Sequence, residues 1–170
     1  MRTTGRSLSK GARLSAMASE LMLKINTAAE MHSLGVRIGE RLFPSAFIAL
    51  CGDLGAGKTT LVKGIAEALG IEGILSPTFT IVRRHAGRLG LDHFDAYRIE
   101  SEDELYAMGF EDHLASDSVI VMEWCENVPG ALPENRLDIT IEGSGDMPRT
   151  VRITARGSEY LGLLEEIAQC

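Results

Sequence analysis

The sequence predicts an α/β fold, in which helices flank a central β-sheet that carries a β-hairpin at one edge. Two continuous apolar runs, residues 47–51 and 119–122, are typical of strands that are buried on both faces. A glycine-rich loop and then a helical pattern follow the first run, which is the order found in a phosphate-binding P-loop. Short strand patterns separated by polar turns predict the hairpin. We therefore expect a P-loop NTPase-like sheet.

Each element follows from its apolar period and from the residues that begin or end it. The predicted strands are residues 21–25, 47–51, 79–82, 89–94, 119–122, 137–141 and 151–155. The predicted helices have apolar faces over residues 31–42 and 60–69, with further helices at 102–108, after Phe110 and at 158–168. Asn26 or Thr27 can cap the first helix, with Glu30 completing a capping box.

The composition is that of an ordinary globular protein with 45% hydrophobic and 24% charged residues among 170. No apolar run approaches the roughly 18 residues of a membrane span, so no membrane contact is expected. The net charge of −7 disfavours direct binding of nucleic acid, because that affinity comes mainly from Lys and Arg. Cys51, Cys125 and Cys170 form no C-x-x-C pair, which argues against a disulfide framework or zinc site and favours a reducing cytoplasm.

The first 21 residues differ in composition from residues 22–170, which we expect to form one domain. Basic residues alternate there with Ser, Thr and Gly, and no acidic residue precedes Glu20. We expect a disordered extension. A transit peptide is a weaker alternative. A start codon assigned too early would explain the composition as well as a disordered extension does, since Met17 and Met22 are available.

Residues 52–59 read Gly-Asp-Leu-Gly-Ala-Gly-Lys-Thr and fit the P-loop pattern G-x-x-x-x-G-K-[ST]. Glycines permit backbone conformations in which N–H groups point inward at phosphate oxygens. Lys58 supplies a positive charge for the β- and γ-phosphates, and Thr59 supplies a hydroxyl for Mg²⁺. The predicted ATP-binding residues are Gly52, Asp53, Leu54, Gly55, Ala56, Gly57, Lys58, Thr59 and Thr60. A chance match in a glycine-rich turn is the alternative, which the flanking strand and helix disfavour.

Two carboxylates at the ends of predicted strands are candidates for chemistry. The run 119–122 ends at Glu123, where a nucleotide-bound Mg²⁺ usually finds a carboxylate ligand. The alternative is an ordinary surface glutamate. Alternation along the strand puts His93, Asp95 and Tyr97 on one face. Asp95 can orient or deprotonate an attacking water, although a cluster that binds turn backbone groups explains these residues equally well.

Three further features allow a functional or an ordinary interpretation. Residues 76–78, Ser-Pro-Thr, either order around the γ-phosphate and its Mg²⁺ or form a simple turn. Arg83, Arg84 and Arg88 form either a lid over phosphates or a solvated basic hairpin. Trp124, the only tryptophan, either covers the site or packs in the core.

Four motifs taken together resemble a bacterial protein family. They are residues 52–59, Ser76-Pro77-Thr78-Phe79, His93-Phe94-Asp95-Ala96-Tyr97-Arg98 and Glu123-Trp124-Cys125-Glu126. In order and spacing they resemble the small ATPases of tRNA threonylcarbamoyladenosine biosynthesis, the TsaE type, over about residues 24–155. The chain departs from that pattern at His85, at Cys125 and in its basic N-terminal residues, none of which touches the phosphate-binding atoms.

The resemblance implies roles for individual residues. Thr59 and Glu123 would hold Mg²⁺, while Lys58 and Asp95 would serve ATP hydrolysis. Thr27 would lie near the nucleotide. The loop of residues 76–79 would lie beside the nucleotide and respond to its state.

The resemblance also implies a function for residues 22–170 as a P-loop ATPase domain. Such a protein binds the tRNA threonylcarbamoyl-transfer complex, with subunits of the TsaD and TsaB type, and uses ATP turnover to reset it between cycles. Contact with tRNA would be indirect, in the cytoplasm. Hydrolysis by the isolated chain would be weak, because such sites often need a cation from a partner. The rival hypotheses are a small-molecule P-loop kinase and a non-catalytic nucleotide sensor.

Overall fold

A computed structural model describes residues 12–14, 19–74, 77 and 80–169 of the chain. The strands are β1 (Ala12–Leu14), β2 (Glu20–Ile25), β3 (Phe47–Gly52), β4 (Val82–His85), β5 (Leu91–Asp95), β6 (Val119–Glu123), β7 (Arg136–Glu142) and β8 (Arg149–Arg156). The helices are α1 (Ala28–Gly39), α2 (Lys58–Ala68), α3 (Glu102–Ala107), α4 (Phe110–Leu114) and α5 (Ser158–Ala168). Two short 3₁₀ turns, Cys125–Asn127 and Pro129–Ala131, follow β6.

The described strands form one sheet in the order β1-β2-β8-β7-β3-β6-β5-β4. The central strands β7, β3, β6 and β5 are parallel to one another, and every other neighbouring pair is antiparallel. The hairpin of β4 and β5 forms one edge. The structure therefore confirms an α/β fold with a central sheet flanked by helices and a hairpin at one edge.

Two apolar clusters cover the two faces of the sheet. One face packs against α1, α2 and α5 through residues such as Leu50 of β3 and Leu61 of α2. The other packs against α3 and α4 through residues such as Phe94 of β5 and Phe110 of α4, whose ring centroids lie 5.4 Å apart. Burial on both faces explains why β3 and β6 are continuous apolar runs.

The parallel register brings the carboxyl ends of three strands together. Leu50 of β3 pairs with Glu123 of β6, and Asp95 of β5 pairs with the same Glu123. Ligands of open α/β sheets bind beyond the carboxyl ends of the strands. The fold thus gathers the glycine loop after β3 and both candidate carboxylates at one edge.

The edge strand β4 begins later than the sequence predicts, at Val82 rather than residue 79. The Pro77 carbonyl accepts hydrogen bonds from the N–H groups of Thr80 and Ile81, both at 2.8 Å, and this turn delays the start of pairing. We predicted that the loop of residues 76–79 responds to the nucleotide, but Ser76, Thr78 and Phe79 lie outside the described residues.

Other boundaries also differ from the prediction, including that of β5, which begins at Leu91 rather than residue 89. Helix α1 ends at Gly39 rather than Leu42, because the chain tightens there into i→i−3 hydrogen bonds from Arg41 and Leu42. Within the predicted N-terminal extension, Ala12–Leu14 form a strand that pairs with β2, which itself begins at Glu20. The rest of residues 1–18 lie outside the described part of the chain, and the expected disorder there stays a prediction. None of the helices described is long and apolar enough to span a membrane.

Candidate functional site

The glycine loop joins the end of β3 to the first turn of α2. Gly55 and Gly57 have φ angles of 78° and 111°, which side chains other than glycine rarely adopt. Helix α2 begins at Lys58, and no side chain caps the N–H groups of its first turn. Those groups and the positive end of the helix dipole form a site for an anion.

Lys58 lies inside the loop with only 8% of its surface exposed. Its ammonium group donates hydrogen bonds to the carbonyl oxygens of Gly52 and Asp53. It also lies 4.4 Å from the centroid of the Trp124 ring, a distance typical of a cation–π contact. Trp124 therefore covers the site and also packs against the apolar cluster on the α3–α4 side, so both interpretations of this residue apply.

Glu123 ends β6 with 3% of its surface exposed, and its Oε1 atom has no hydrogen-bond partner among the described residues. Its Oε2 atom lies 3.6 Å from Nε2 of His93, whose two ring nitrogens also lack hydrogen-bond partners. A buried carboxylate oxygen without a partner is costly unless a ligand satisfies it. The donor set of Glu123 with the Thr59 hydroxyl suits Mg²⁺, which prefers oxygen ligands.

Asp95 ends β5 and is 5% exposed. Its Oδ1 atom accepts a hydrogen bond of 2.9 Å from the backbone N–H of Tyr97, which holds the carboxylate at the strand end. Tyr97 itself is more than half exposed, and its ring lies 4.9 Å from that of Trp124. Of the predicted polar cluster, Asp95 lines the site directly, and Tyr97 contacts Trp124, which also lines it.

A pocket of about 310 Å³ contains most of the predicted residues. Its lining comprises Asp53, Leu54, Gly55, Ala56, Gly57, Lys58, Thr59, Thr60, Asp95, Glu123 and Trp124. Thr27 instead lines an adjacent pocket of about 360 Å³, which shares Gly55, Ala56, Gly57 and Thr60 with the first. The Thr27 hydroxyl caps α1 by accepting a hydrogen bond of 3.1 Å from the N–H of Glu30. The two pockets therefore lie next to each other along the glycine loop.

Arg149, at the start of β8, is a site residue that the sequence analysis missed. Its guanidinium donates to the carbonyl oxygens of Ala56 at 3.0 Å and Gly55 at 3.2 Å in the glycine loop. It also donates to the carbonyls of Gly145 and Met147 in the β7–β8 turn. Arg149 thus connects the glycine loop to the β7–β8 turn. Arg149 and the loop are more than 90 residues apart in sequence, so no local motif could predict the contact.

Of the three arginines proposed as a lid, Arg84 and Arg88 are held elsewhere, while the buried Nε atom of Arg83 has no hydrogen-bond partner among the described residues. Arg84 forms hydrogen bonds of 2.8 and 3.0 Å with both oxygens of Asp92, and Arg88 donates to the Gly39 carbonyl at 3.0 Å. Asp92 is fully buried and also accepts a hydrogen bond of 2.5 Å from Nδ1 of His113. Burial alone would raise the pKa of Asp92, but the bonds from Arg84 and His113 outweigh it and lower that pKa. These contacts stabilise the hairpin, and they argue against the lid of a kinase.

Comparison with known proteins identifies the family. The family model for threonylcarbamoyl adenosine biosynthesis protein TsaE matches residues 25–151. The tRNA threonylcarbamoyladenosine biosynthesis protein TsaE of Bacillus subtilis (strain 168) is 43% identical over 128 residues, covering 74% of this chain and 80% of the relative. The protein of the same description from Streptomyces coelicolor is 41% identical over 140 residues, covering 76% and 93%.

A solved structure agrees with this assignment. The crystal structure of YdiB from Bacillus subtilis matches with a TM-score of 0.77 and 32% identity, and the match covers 94% of this chain and 97% of that chain. The matched region of the family model contains the glycine loop, Asp95 and Glu123. This chain therefore belongs to the TsaE family of threonylcarbamoyl adenosine biosynthesis proteins.

Proposed function

We propose that this chain binds and hydrolyses ATP with Mg²⁺ and so assists the complex that transfers a threonylcarbamoyl group to tRNA. The observation that carries the ATPase proposal is the buried ammonium group of Lys58 in the glycine loop, in one pocket with the unpartnered carboxylate oxygen of Glu123. The names of the curated relatives support the place in tRNA threonylcarbamoyladenosine biosynthesis.

The chain binds the triphosphate through backbone amides and one mobile charge. The N–H groups of the loop and of the first turn of α2 donate to phosphate oxygens. Lys58 exchanges the carbonyl oxygens of Gly52 and Asp53 for the β- and γ-phosphates, which are stronger acceptors because they are charged. Arg149 stabilises the conformation of the glycine loop during this exchange by donating hydrogen bonds to two of its carbonyl oxygens.

Thr59 and Glu123 are the residues that would hold Mg²⁺, through a hydroxyl and a carboxylate oxygen. When bound, Mg²⁺ neutralises charge that develops on the transferred phosphoryl group. Asp95 accepts a hydrogen bond from the attacking water and takes its proton as the water oxygen bonds to the γ-phosphorus. The bond to the β-phosphate oxygen breaks, and ADP and phosphate are the products.

The partners in this proposal are subunits of the TsaD and TsaB type in the cytoplasm. The net charge of −7 is poorly suited to gripping tRNA, so the partners make the tRNA contact. ATP turnover by this chain resets the complex between cycles.

Leu54, at the tip of the glycine loop, is 88% exposed, and it places an apolar side chain beside the pocket on the surface.

The experiment measures ATP turnover by the chain alone and with purified TsaD and TsaB type subunits. We expect weak hydrolysis that the partners stimulate. Asp95→Asn should retain ATP binding and lose the stimulated turnover, whereas Asp117→Asn, an exposed aspartate before β6, should behave as wild type. Phosphate transfer to a metabolite in place of water would support a kinase instead. Tight binding without turnover under any partner condition would support a nucleotide sensor.

A further inference from the structure

Two cysteines that are distant in sequence meet directly behind the glycine loop. Cys51 lies in β3 immediately before Gly52, and Cys125 begins the 3₁₀ turn immediately after Trp124. Their Sγ atoms are 2.7 Å apart. Both side chains pack into the apolar cluster on the α3–α4 side of the sheet, while Glu123 faces the opposite side with Val121. The pair therefore links the two segments that frame the proposed ATP site without being part of its phosphate-binding surface.

We propose that Cys51 and Cys125 form a reversible disulfide that responds to peroxide. A disulfide needs an S–S distance of about 2.05 Å, so the sulfur atoms must approach by roughly 0.7 Å. The carboxylate of Glu126 also lies near both sulfurs, within 4.8 Å, which gives three potential metal ligands. A tetrahedral zinc site with Zn–S bonds of about 2.3 Å would instead separate the sulfurs to roughly 3.8 Å. The observed distance is closer to that of the disulfide.

The reaction with hydrogen peroxide balances in two steps. Cys51 is half-buried and Cys125 is 3% exposed, so peroxide reaches Cys51 first. The Cys51 sulfur attacks one peroxide oxygen, the O–O bond breaks, and the leaving hydroxide takes the thiol proton to become water. The Cys125 sulfur then attacks the sulfenic acid of Cys51, the S–O bond breaks, and a second water leaves with the Cys125 proton. A dithiol reductant converts the disulfide back to two thiols by thiol–disulfide exchange.

The resting state of the pair is the dithiol. The hydrogen bond that the Cys51 thiol shares with Cys125, together with burial, raises the pKa of Cys51 well above its usual range. Since the thiolate is the nucleophile, the raised pKa makes Cys51 react slowly, so disulfide formation needs an excess of peroxide. Disulfides in a reducing compartment are usually transient and redox-sensing, which agrees with this behaviour.

The consequence for the site rests on the proposed function, whereas disulfide formation itself does not. A covalent bond at Cys125 fixes the turn that carries Trp124, whose ring covers the Lys58 ammonium. To bind phosphates, Lys58 must leave its carbonyl partners, and in the oxidised protein it must do so beneath a Trp124 ring that can no longer move with the turn. We expect about tenfold weaker binding of Mg–ATP by the oxidised protein, within the usual range of coupling between two sites.

The test uses the full chain with Cys170→Ser, so that Cys51 and Cys125 are the remaining cysteines. Peroxide treatment of folded protein should remove two hydrogen atoms from its mass, and digestion should yield one peptide pair joined through these two cysteines. Dithiothreitol should restore the original mass. Matched variants with Cys51→Ser or Cys125→Ser should not form this link.

Calorimetry then compares Mg–ATP binding by the reduced and oxidised proteins. If the reduced protein fails to bind ATP, the proposed function is wrong. The mass measurement still decides whether the disulfide forms. Two thiols that stay free, or that oxidise to sulfinic acids without a link, would overturn the disulfide. Stoichiometric zinc retention by the pair with no link on oxidation would overturn it too. A disulfide that leaves ATP affinity unchanged would overturn the coupling to the site.

Discussion

The ammonium group of Lys58 lies 4.4 Å from the centre of the Trp124 ring and donates hydrogen bonds to the carbonyl oxygens of Gly52 and Asp53. Trp124 has a left-handed backbone conformation with φ of 57°, which costs about 1 kcal/mol or more for a residue other than glycine. The ring nevertheless lies against the lysine, so a movement of the Lys58 ammonium group changes the surroundings of the indole.

Binding of ATP should change the fluorescence of the protein, because Trp124 is its only tryptophan. When Lys58 turns from the loop carbonyls toward phosphates, the charge near the indole ring moves. Lys58→Ala should alter the spectrum without ligand and remove the response to ATP. Lys63→Ala, an exposed lysine of the same helix, should preserve both. An unchanged spectrum at saturating ATP in wild type would contradict the coupling of these two residues.

Glu123→Gln should raise the Mg²⁺ concentration needed for tight ATP binding by about tenfold or more. The substitution keeps the size of the side chain and removes the charge that a divalent cation needs. The measurement is an ATP-binding titration at several Mg²⁺ concentrations. Glu134→Gln, an exposed glutamate in the loop before β7, is the control. Identical Mg²⁺ dependence in Glu123→Gln and wild type would remove Glu123 from the metal site.

Arg149→Ala should weaken ATP binding and lower the free energy of unfolding by about 1–3 kcal/mol. The variant leaves the carbonyl groups of Gly55 and Ala56 without their partner and frees the glycine loop from the β7–β8 turn. Arg152→Ala, an exposed arginine of the same strand, tests for a general effect of lost charge. Equal ATP affinity in the two variants would show that Arg149 does not position the loop.

Asp92 should make the stability of the protein depend on acid pH. Its pKa is lowered in the folded state below the ordinary value of 3.8, so its stabilising contribution is present above that value and is lost as pH falls through the folded pKa. Asp92→Asn should cost about 1–3 kcal/mol near neutral pH, since it removes the charge of a fully buried carboxylate that is hydrogen-bonded to His113 and to the more exposed Arg84. Denaturant unfolding from pH 7 to 2 should show this difference shrinking in acid. A difference in the free energy of unfolding that stays constant, or grows in acid, would contradict the assigned ion pair. Asp117→Asn is the control.

The sequence predicted those parts of the site that depend on local chemistry. The glycine loop is a continuous motif, so Lys58 and Thr59 could be placed from eight adjacent residues. Glu123 and Asp95 could be placed because parallel strands end at the same edge of a sheet, and the register confirms that they are paired. Whether Glu123 and Thr59 hold Mg²⁺ stays a prediction.

Contacts between distant segments could not be predicted in this way. Arg149 reaches Ala56 only because the β7–β8 turn folds over the loop, and Cys51 meets Cys125 only because β3 and β6 are neighbours. The late start of β4 depends on a turn around the Pro77 carbonyl, whereas apolar pattern alone favours an earlier strand. Three-dimensional packing decides each of these features.

Calorimetry of ATP binding to wild type and Lys58→Ala, with Mg²⁺ in excess, tests whether the glycine loop and its lysine bind the nucleotide. We expect heat and one site per chain for wild type and for Lys63→Ala. We expect about 100-fold weaker binding for Lys58→Ala, or roughly 3 kcal/mol, because a buried charge that pairs with phosphate is removed. Equal affinity in Lys58→Ala, or no heat from well-folded wild type with any purine triphosphate, would contradict this assignment.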